Sequence, residues 1–137
     1  MNITREADYA LRVISLLSEV KEDTIISASK ISDSEKIPSQ FLLKILRKLR
    51  KASLVKSYMG VNGGYKLNKP SKDISLKDVI ESIDGPIYIN RCLYNPEDCN
   101  RNFSSECRLH YHLGLVEDKL LKDLDDITFD IISNTVV

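Results

Sequence analysis

Three cysteines and a histidine carry the most chemical potential in this chain. Cys92, Cys99, Cys107 and His110 run C-x6-C-x7-C-x2-H. Soft thiolates bind iron–sulfur clusters or zinc. Structural zinc sites usually use close C-x2–4-C pairs, and this sequence has none. Iron–sulfur ligation tolerates wider spacing on a loop, because one compact cluster gathers several thiolates. Cys107 and His110 stand i and i+3 on the expected opening turn of a helix, so both can point the same way, while His112 points elsewhere. Three cysteines and one histidine complete a set of four ligands. The plain alternative is three small buried hydrophobes, since free cysteine packs well. A polar loop holding Asn90, Arg91, Asn95, Glu97, Asp98, Asn100 and Arg101 suits that alternative poorly. Three is an odd number, which argues against a closed disulfide framework.

A second set of residues suits a polyanion. Between Glu35 and Asp73 there is no acidic residue and there are ten basic ones. Gln40, Lys44, Arg47 and Lys51 recur at i, i+4, i+7 and i+11. Phe41, Leu42, Ile45, Leu46 and Leu49 form an apolar stripe at helical spacing on another face. One face can then pack on a core while the other enters a DNA major groove, as the second helix of a helix-turn-helix does. Ser39 and Gln40 fall at the helix N-terminus, where base-edge and phosphate contacts concentrate. With Arg47 they are the candidates for base contacts. Lys44, Lys48, Lys51 and Lys56 are candidates for salt-dependent phosphate contacts.

The elements that must position these groups follow in chain order. A first helix is expected over about Thr4 to Val20, capped by Thr4, with Ala7, Ala10, Leu11, Ile14 and Leu17 inward and Val13 on a flank. Glu6 suits the dipole of its first turn. Ser27 caps a second helix ending near Lys36, with Ala28 and Ile31 inward. Ile37-Pro38 turns into the basic helix, proline being well placed at a first helical turn. Leu54 to Met59 and Tyr65 to Leu67 read as strands. Gly60-Val61-Asn62-Gly63-Gly64 between them is the turn, with Asn62-Gly63 as its hairpin signal, so the unit reads as a winged helix-turn-helix with Asn62 and Lys66 near DNA. Ser75-x-x-Asp78 is a capping box for a fourth helix, with Leu76, Val79, Ile80 and Ile83 inward, stopped by Gly85-Pro86. Residues 86 to 106 show little periodicity and read as a functional loop. Leu113, Val116, Leu120, Leu124, Ile127 and Ile131 then form a near-heptad seam, with a break at Asp125 to Thr128 and a final turn capped by Thr128. A long amphipathic terminal segment could fold back on its own domain; a dimer seam is the preferred reading, because dimers read paired half-sites about 34–36 Å apart.

The expected fold is mainly α: residues 1–85 a winged helix-turn-helix domain with a small two-stranded wing, 86–107 a cysteine-containing cluster loop, 108–137 a C-terminal dimerisation helix. At 137 residues one domain plus an oligomerisation arm is the natural size. Net charge is zero, yet residues 1–72 hold 14 Lys+Arg against 7 Asp+Glu, and residues 73–137 hold 6 against 13. Such asymmetry suits a basic half that meets an anionic partner. No apolar run reaches a membrane span and the polar start lacks a signal peptide, so a cytoplasmic protein is expected. An enzyme is not: there is no G-x-S-x-G, H-E-x-x-H or phosphate-cradling loop, and Cys107 with His110 lacks an orienting third group.

The chain resembles the IscR/NsrR family of winged-helix transcription regulators over nearly its whole length. The matching pieces are Thr4-Arg5-x-x-Asp8-Tyr9-Ala10-Leu11-Arg12, Leu46-x-x-Leu49-x-x-x-x-Leu54-Val55, Gly60-x-x-Gly63-Gly64-Tyr65-x-Leu67, the three-cysteine loop and Leu124-Asp125-x-Ile127-Thr128. The resemblance implies a homodimer on palindromic double-stranded operators, gated by an iron–sulfur cluster. Cys107-x2-His110 is similar to the type that holds [2Fe–2S] with three Cys and one His, the preferred assignment. Asp8 before Tyr9 is similar to the type in which an N-terminal Asp of the other subunit completes a [4Fe–4S] site. The family also includes members without a cluster, which leaves thiol redox or a protein partner as the alternative signal. Where the family often has Arg before the wing's first Gly, this chain has Met59.

Overall fold

The computed structural model describes residues 2–137. Its helices are α1 (Arg5–Glu19), α2 (Ala28–Glu35), α3 (Ser39–Lys51), α4 (Leu76–Asp84), α5 (Arg91–Tyr94), α6 (Arg108–Asp126) and α7 (Phe129–Ser133). One antiparallel pair joins β1 (Val55–Tyr58) to β2 (Gly64–Leu67), with Tyr58 opposite Gly64 and Val55 opposite Leu67.

The helix starts follow from capping chemistry. Thr4 and Ser27 each accept a backbone N–H three residues on, from Ala7 at 3.1 Å and from Lys30 at 3.2 Å. Ser75 and Asp78 form the expected reciprocal capping box. Pro38 stands at the cap position of α3, one residue before the first helical turn. Lys36 ends α2 in a left-handed conformation, φ 53°.

The core gathers Ala7, Ala10, Val13, Ile14 and Leu17 of α1 against Leu42, Ile45, Leu46 and Leu49 of α3 and Val79 and Ile83 of α4. Two inward assignments change. Val13 is fully buried and Leu11 takes the flank. Phe41 is 43% exposed. At about 100° per residue it lies at the edge of the α3 stripe, where spacing alone leaves inside and outside undecided.

The hairpin turn has the expected five residues but begins one residue earlier, because Gly64 belongs to β2. With Tyr58 paired to Gly64, the connection is the five residues 59–63, because Gly60 adopts φ +102° and the Gly63 N–H closes back on the Gly60 carbonyl at 3.0 Å. Beyond the strands, Tyr65 exchanges two backbone hydrogen bonds with Ile26, at 2.8 and 2.9 Å, which fasten the wing to the start of α2.

The C-terminal region is not one helix over 108–137. As the break expected at Asp125 to Thr128 implies, α6 stops at Asp126, and α7 folds back on the N-terminal domain. Phe129, 1% exposed, enters the same core as α1 and α3. Leu76 N–H donates to the Ile127 carbonyl at 2.9 Å, and Phe129 N–H to the Ile74 carbonyl at 3.0 Å. The buried Ser75 hydroxyl accepts from Asp78 N–H and donates to Asp125 at 3.0 Å. None of the α6 side chains is buried: Leu109 and Val116 are exposed, and Leu113, Leu120 and Leu124 are half-buried.

Candidate nucleic-acid interface and cysteine site

α3 turns Gln40, Lys44, Arg47 and Lys51 to solvent on one face, opposite the buried stripe. Ser39 opens the helix, exposed, its Oγ 3.4 Å from that of Ser32. Lys56 is exposed on β1 and Asn62 is exposed at the wing tip. Arg50 spans from α3 to β1, donating to Ser57 Oγ at 3.2 Å. Arg50 thus ties the recognition helix to the first strand of the wing.

Three of the expected DNA-facing lysines already have carboxylate partners. Lys44 Nζ lies 2.7 Å from Glu6 Oε1, and Lys48 Nζ lies 2.9 Å from Glu6 Oε2. Lys48 is half-buried and also donates to the Ile83 carbonyl at 3.3 Å. Lys66 pairs with Asp23 at 2.6 Å and lies 5.5 Å over the Tyr58 ring. The Asp23 bond, then Tyr58, raises the Lys66 pKa, and Lys66 lowers that of Asp23. Two participants escape sequence reasoning. Glu6 reads there only as a dipole partner, since its lysines lie 38 and 42 residues away. Leu43 is 50% exposed on α3, and its one signal is a leucine out of phase with the stripe.

The cysteine segment has more structure than a loop. Cys92 lies on the single helical turn α5, and 3-10 turns follow at Pro96–Asp98 and Ser104–Glu106. Single turns carry no periodicity, so sequence spacing cannot show them. Carboxylates of the flanking helices hold the entry: Ile87 N–H donates to Glu81 at 3.3 Å and Ile89 N–H to Glu117 at 2.8 Å. Tyr88 stacks on Tyr94, ring centroids 5.1 Å apart. The missing side chain at Gly114 leaves room for Leu93 on α6.

His110 meets Cys92, not the expected Cys107: its Nδ1 lies 3.3 Å from Cys92 Sγ. Cys107 stands at the cap of α6 with an extended backbone, φ −80° and ψ 117°, and its side chain makes no cap hydrogen bond. The backbone N–H groups of Phe103, Arg101 and Asn102 near Cys99 lower its pKa, Phe103 contributing most. All three thiols are free and half-buried. Asp8 pairs with Arg12 at 2.6 Å within α1.

An iron–sulfur cluster fits this site in chemistry and in part in geometry. Unoxidised thiols and an imidazole are the right donors, and N–H groups aimed at a sulfur stabilise a thiolate ligand. Cys92 and His110 are already together. Among the described residues no group of three His, Cys, Asp or Glu side chains converges to hold a metal ion, so Cys99 and Cys107 must close in for all four to bind one group.

A family model described as Rrf2, iron-dependent transcriptional regulator, matches residues 3–135. An Rrf2-like transcriptional regulator of Rhodobacter capsulatus is 32% identical over 136 residues, covering 93% of this chain and 89% of that protein. The chain spans about half, 54%, of the length of the Mycobacterium tuberculosis HTH-type transcriptional regulators it matches at 38% identity. The fold is shared with CymR, the global cysteine regulator of B. subtilis (TM-score 0.82, 23% identity, 100% of this chain and 99% of that one). It is also shared with T. potens IscR (TM-score 0.75, 21% identity, 96% and 85%).

Proposed function

Because this chain belongs to the Rrf2 family of transcriptional regulators, we propose that it is a cytoplasmic homodimer that binds palindromic double-stranded DNA under the control of an iron–sulfur cluster. The observation that carries the reading is the exposed α3 face of Gln40, Lys44, Arg47 and Lys51 beside a basic wing. Cys92, Cys99, Cys107 and His110 would hold the cluster, [2Fe–2S] with this donor set; Asp8 of a second copy in place of His110 is the [4Fe–4S] alternative. A bound cluster supplies one-electron chemistry and can be lost to oxidants.

The chain's own residues supply the coupling. The Cys92–His110 contact joins α5 to α6, whose exposed Leu109 and Val116 suit a partner helix. A change in ligation at Cys92 therefore bears on α6, and through a dimer seam on the separation of two recognition helices. A dimer loses contacts when its half-sites are misplaced. Among the described residues no helix is long and apolar enough to cross a membrane.

One observation favours a second reading. The N–H groups around Cys99 sulfur favour its thiolate, the form that reacts with oxidants, so a cluster-free regulator that senses through thiol redox also suits the site. Iron and acid-labile sulfide per subunit in protein purified without oxygen separate the two. Matched iron and sulfide are expected, lost in Cys92→Ser and Cys99→Ser. Loss in His110→Ala with retention in Asp8→Ala identifies the histidine as fourth ligand. Protein without sulfide, even after attempted reconstitution, would sink the cluster reading.

A further inference from the structure

The geometry points to Glu6 as the residue that sets the strength and salt dependence of DNA binding, by bridging two lysines of the recognition helix and cancelling one of their two charges. This inference rests on the DNA-binding reading above. Glu6 stands in the first turn of α1, and each of its carboxylate oxygens takes a different lysine of α3: Oε1 takes Lys44 at 2.7 Å and Oε2 takes Lys48 at 2.9 Å. A DNA phosphate that bound these two ammoniums would put its own oxygens where the Glu6 carboxylate now stands. The Lys44 bond, then the Lys48 bond, hold the Glu6 carboxyl below its ordinary pKa, so the carboxylate is ionised at neutral pH.

The consequence is a charge count. Lys44 and Lys48 read as two positive charges on the DNA face, but with Glu6 the group carries one. Arg47 and Lys51, on the same face, have no ion-pair partner among the described residues. A phosphate that approaches Lys44 or Lys48 must displace Glu6 or accept its negative charge alongside. Either way one phosphate fewer is neutralised per protomer than the lysines alone would allow. Each neutralised phosphate contributes a slope of about −0.9 to log K against log salt. Glu6 therefore makes binding shallower in salt and weaker at low salt.

The bond from Lys48 Nζ to the Ile83 carbonyl gives the device an anchor. Thr4 Oγ1, just before Glu6, donates to Asp84 at 2.7 Å. The clamp is thus fastened to the end of α4, where the chain enters the cysteine segment, through Lys48, while Lys44 is held by Glu6 alone.

The test is binding of the full chain to a duplex recovered by in vitro selection, followed by anisotropy over a series of KCl concentrations. Glu6→Gln is expected to tighten binding several-fold at low salt and to steepen the slope by about 0.9 per protomer, the two curves converging as salt rises. Glu19→Gln makes the same change in net charge at the exposed far end of α1 and is expected to leave the slope unchanged. Thermal unfolding reports folding, and Glu6→Ala stands as a second variant with the same expectation. An unchanged slope, or weaker binding, in a folded Glu6 variant would overturn the inference and leave Glu6 a strut that holds the lysines. A wild-type chain that binds no selected duplex would instead overturn the DNA reading and take this inference with it.

Discussion

Replacing Phe129 with Ala is expected to lower folding stability by roughly 3–5 kcal/mol, the usual cost of emptying a buried aromatic site. Phe129 is the largest of the fully buried side chains and packs with the α1 and α3 core from the far end of the chain. The cavity it leaves is bounded by backbone on one side, since Phe129 N–H is held by the Ile74 carbonyl and Ile127 by Leu76, so collapse is restricted. Equilibrium urea unfolding measures it as a lower midpoint at unchanged slope. The same variant is expected to weaken DNA binding only through the fraction unfolded. A full-strength complex from a chain that has lost less than 1 kcal/mol, on the order of an exposed substitution, would show that α7 does not close this core.

The second large effect falls on Gly64. A Cβ there would stand 2.3 Å from the Ile26 carbonyl oxygen and 2.8 Å from Ser27 N, at φ +154°. Both neighbours are backbone, so neither yields as a flexible side-chain end would. Gly64→Ala is expected to cost about 1–3 kcal/mol in backbone strain and, beyond that, to break the two Ile26–Tyr65 hydrogen bonds. The wing then loses its fastening to α2 while β1 and β2 remain paired. Hydrogen exchange should show faster exchange at the Ile26 and Tyr65 amides, and operator affinity should fall by more than the stability loss explains. Gly60→Ala is the comparison: φ is +102° but nothing lies within 4 Å of the added atom, so strain is expected there without detachment. Equal effects at both positions would remove the role given to Ile26.

Those contrasts show what sequence spacing can and cannot carry. Thr4, Ser27 and the Ser75–Asp78 box were legible because a cap acts over three residues. The α3 stripe was legible at Leu42, Ile45, Leu46 and Leu49, whose angles cluster, and misleading at Phe41, whose angle lies on the margin. The five-residue wing turn was legible from its glycines, and its bounds slipped by one because Gly64 pairs with Tyr58 inside β2. At the candidate site the donor types were legible but not their pairing: His110 chose Cys92, 18 residues away, over the nearer Cys107. Likewise the basic window counted Lys44 and Lys48 without Glu6. Long-range partners of charged groups leave no periodic trace.

The return of α7 has a consequence in time. A chain emerging from the ribosome presents α1 to α4 long before residue 129 exists, and domains generally fold as they emerge. Here the aromatic plug arrives after α6, so the recognition helix gains its finished support only once the segment suited to a second subunit has been made.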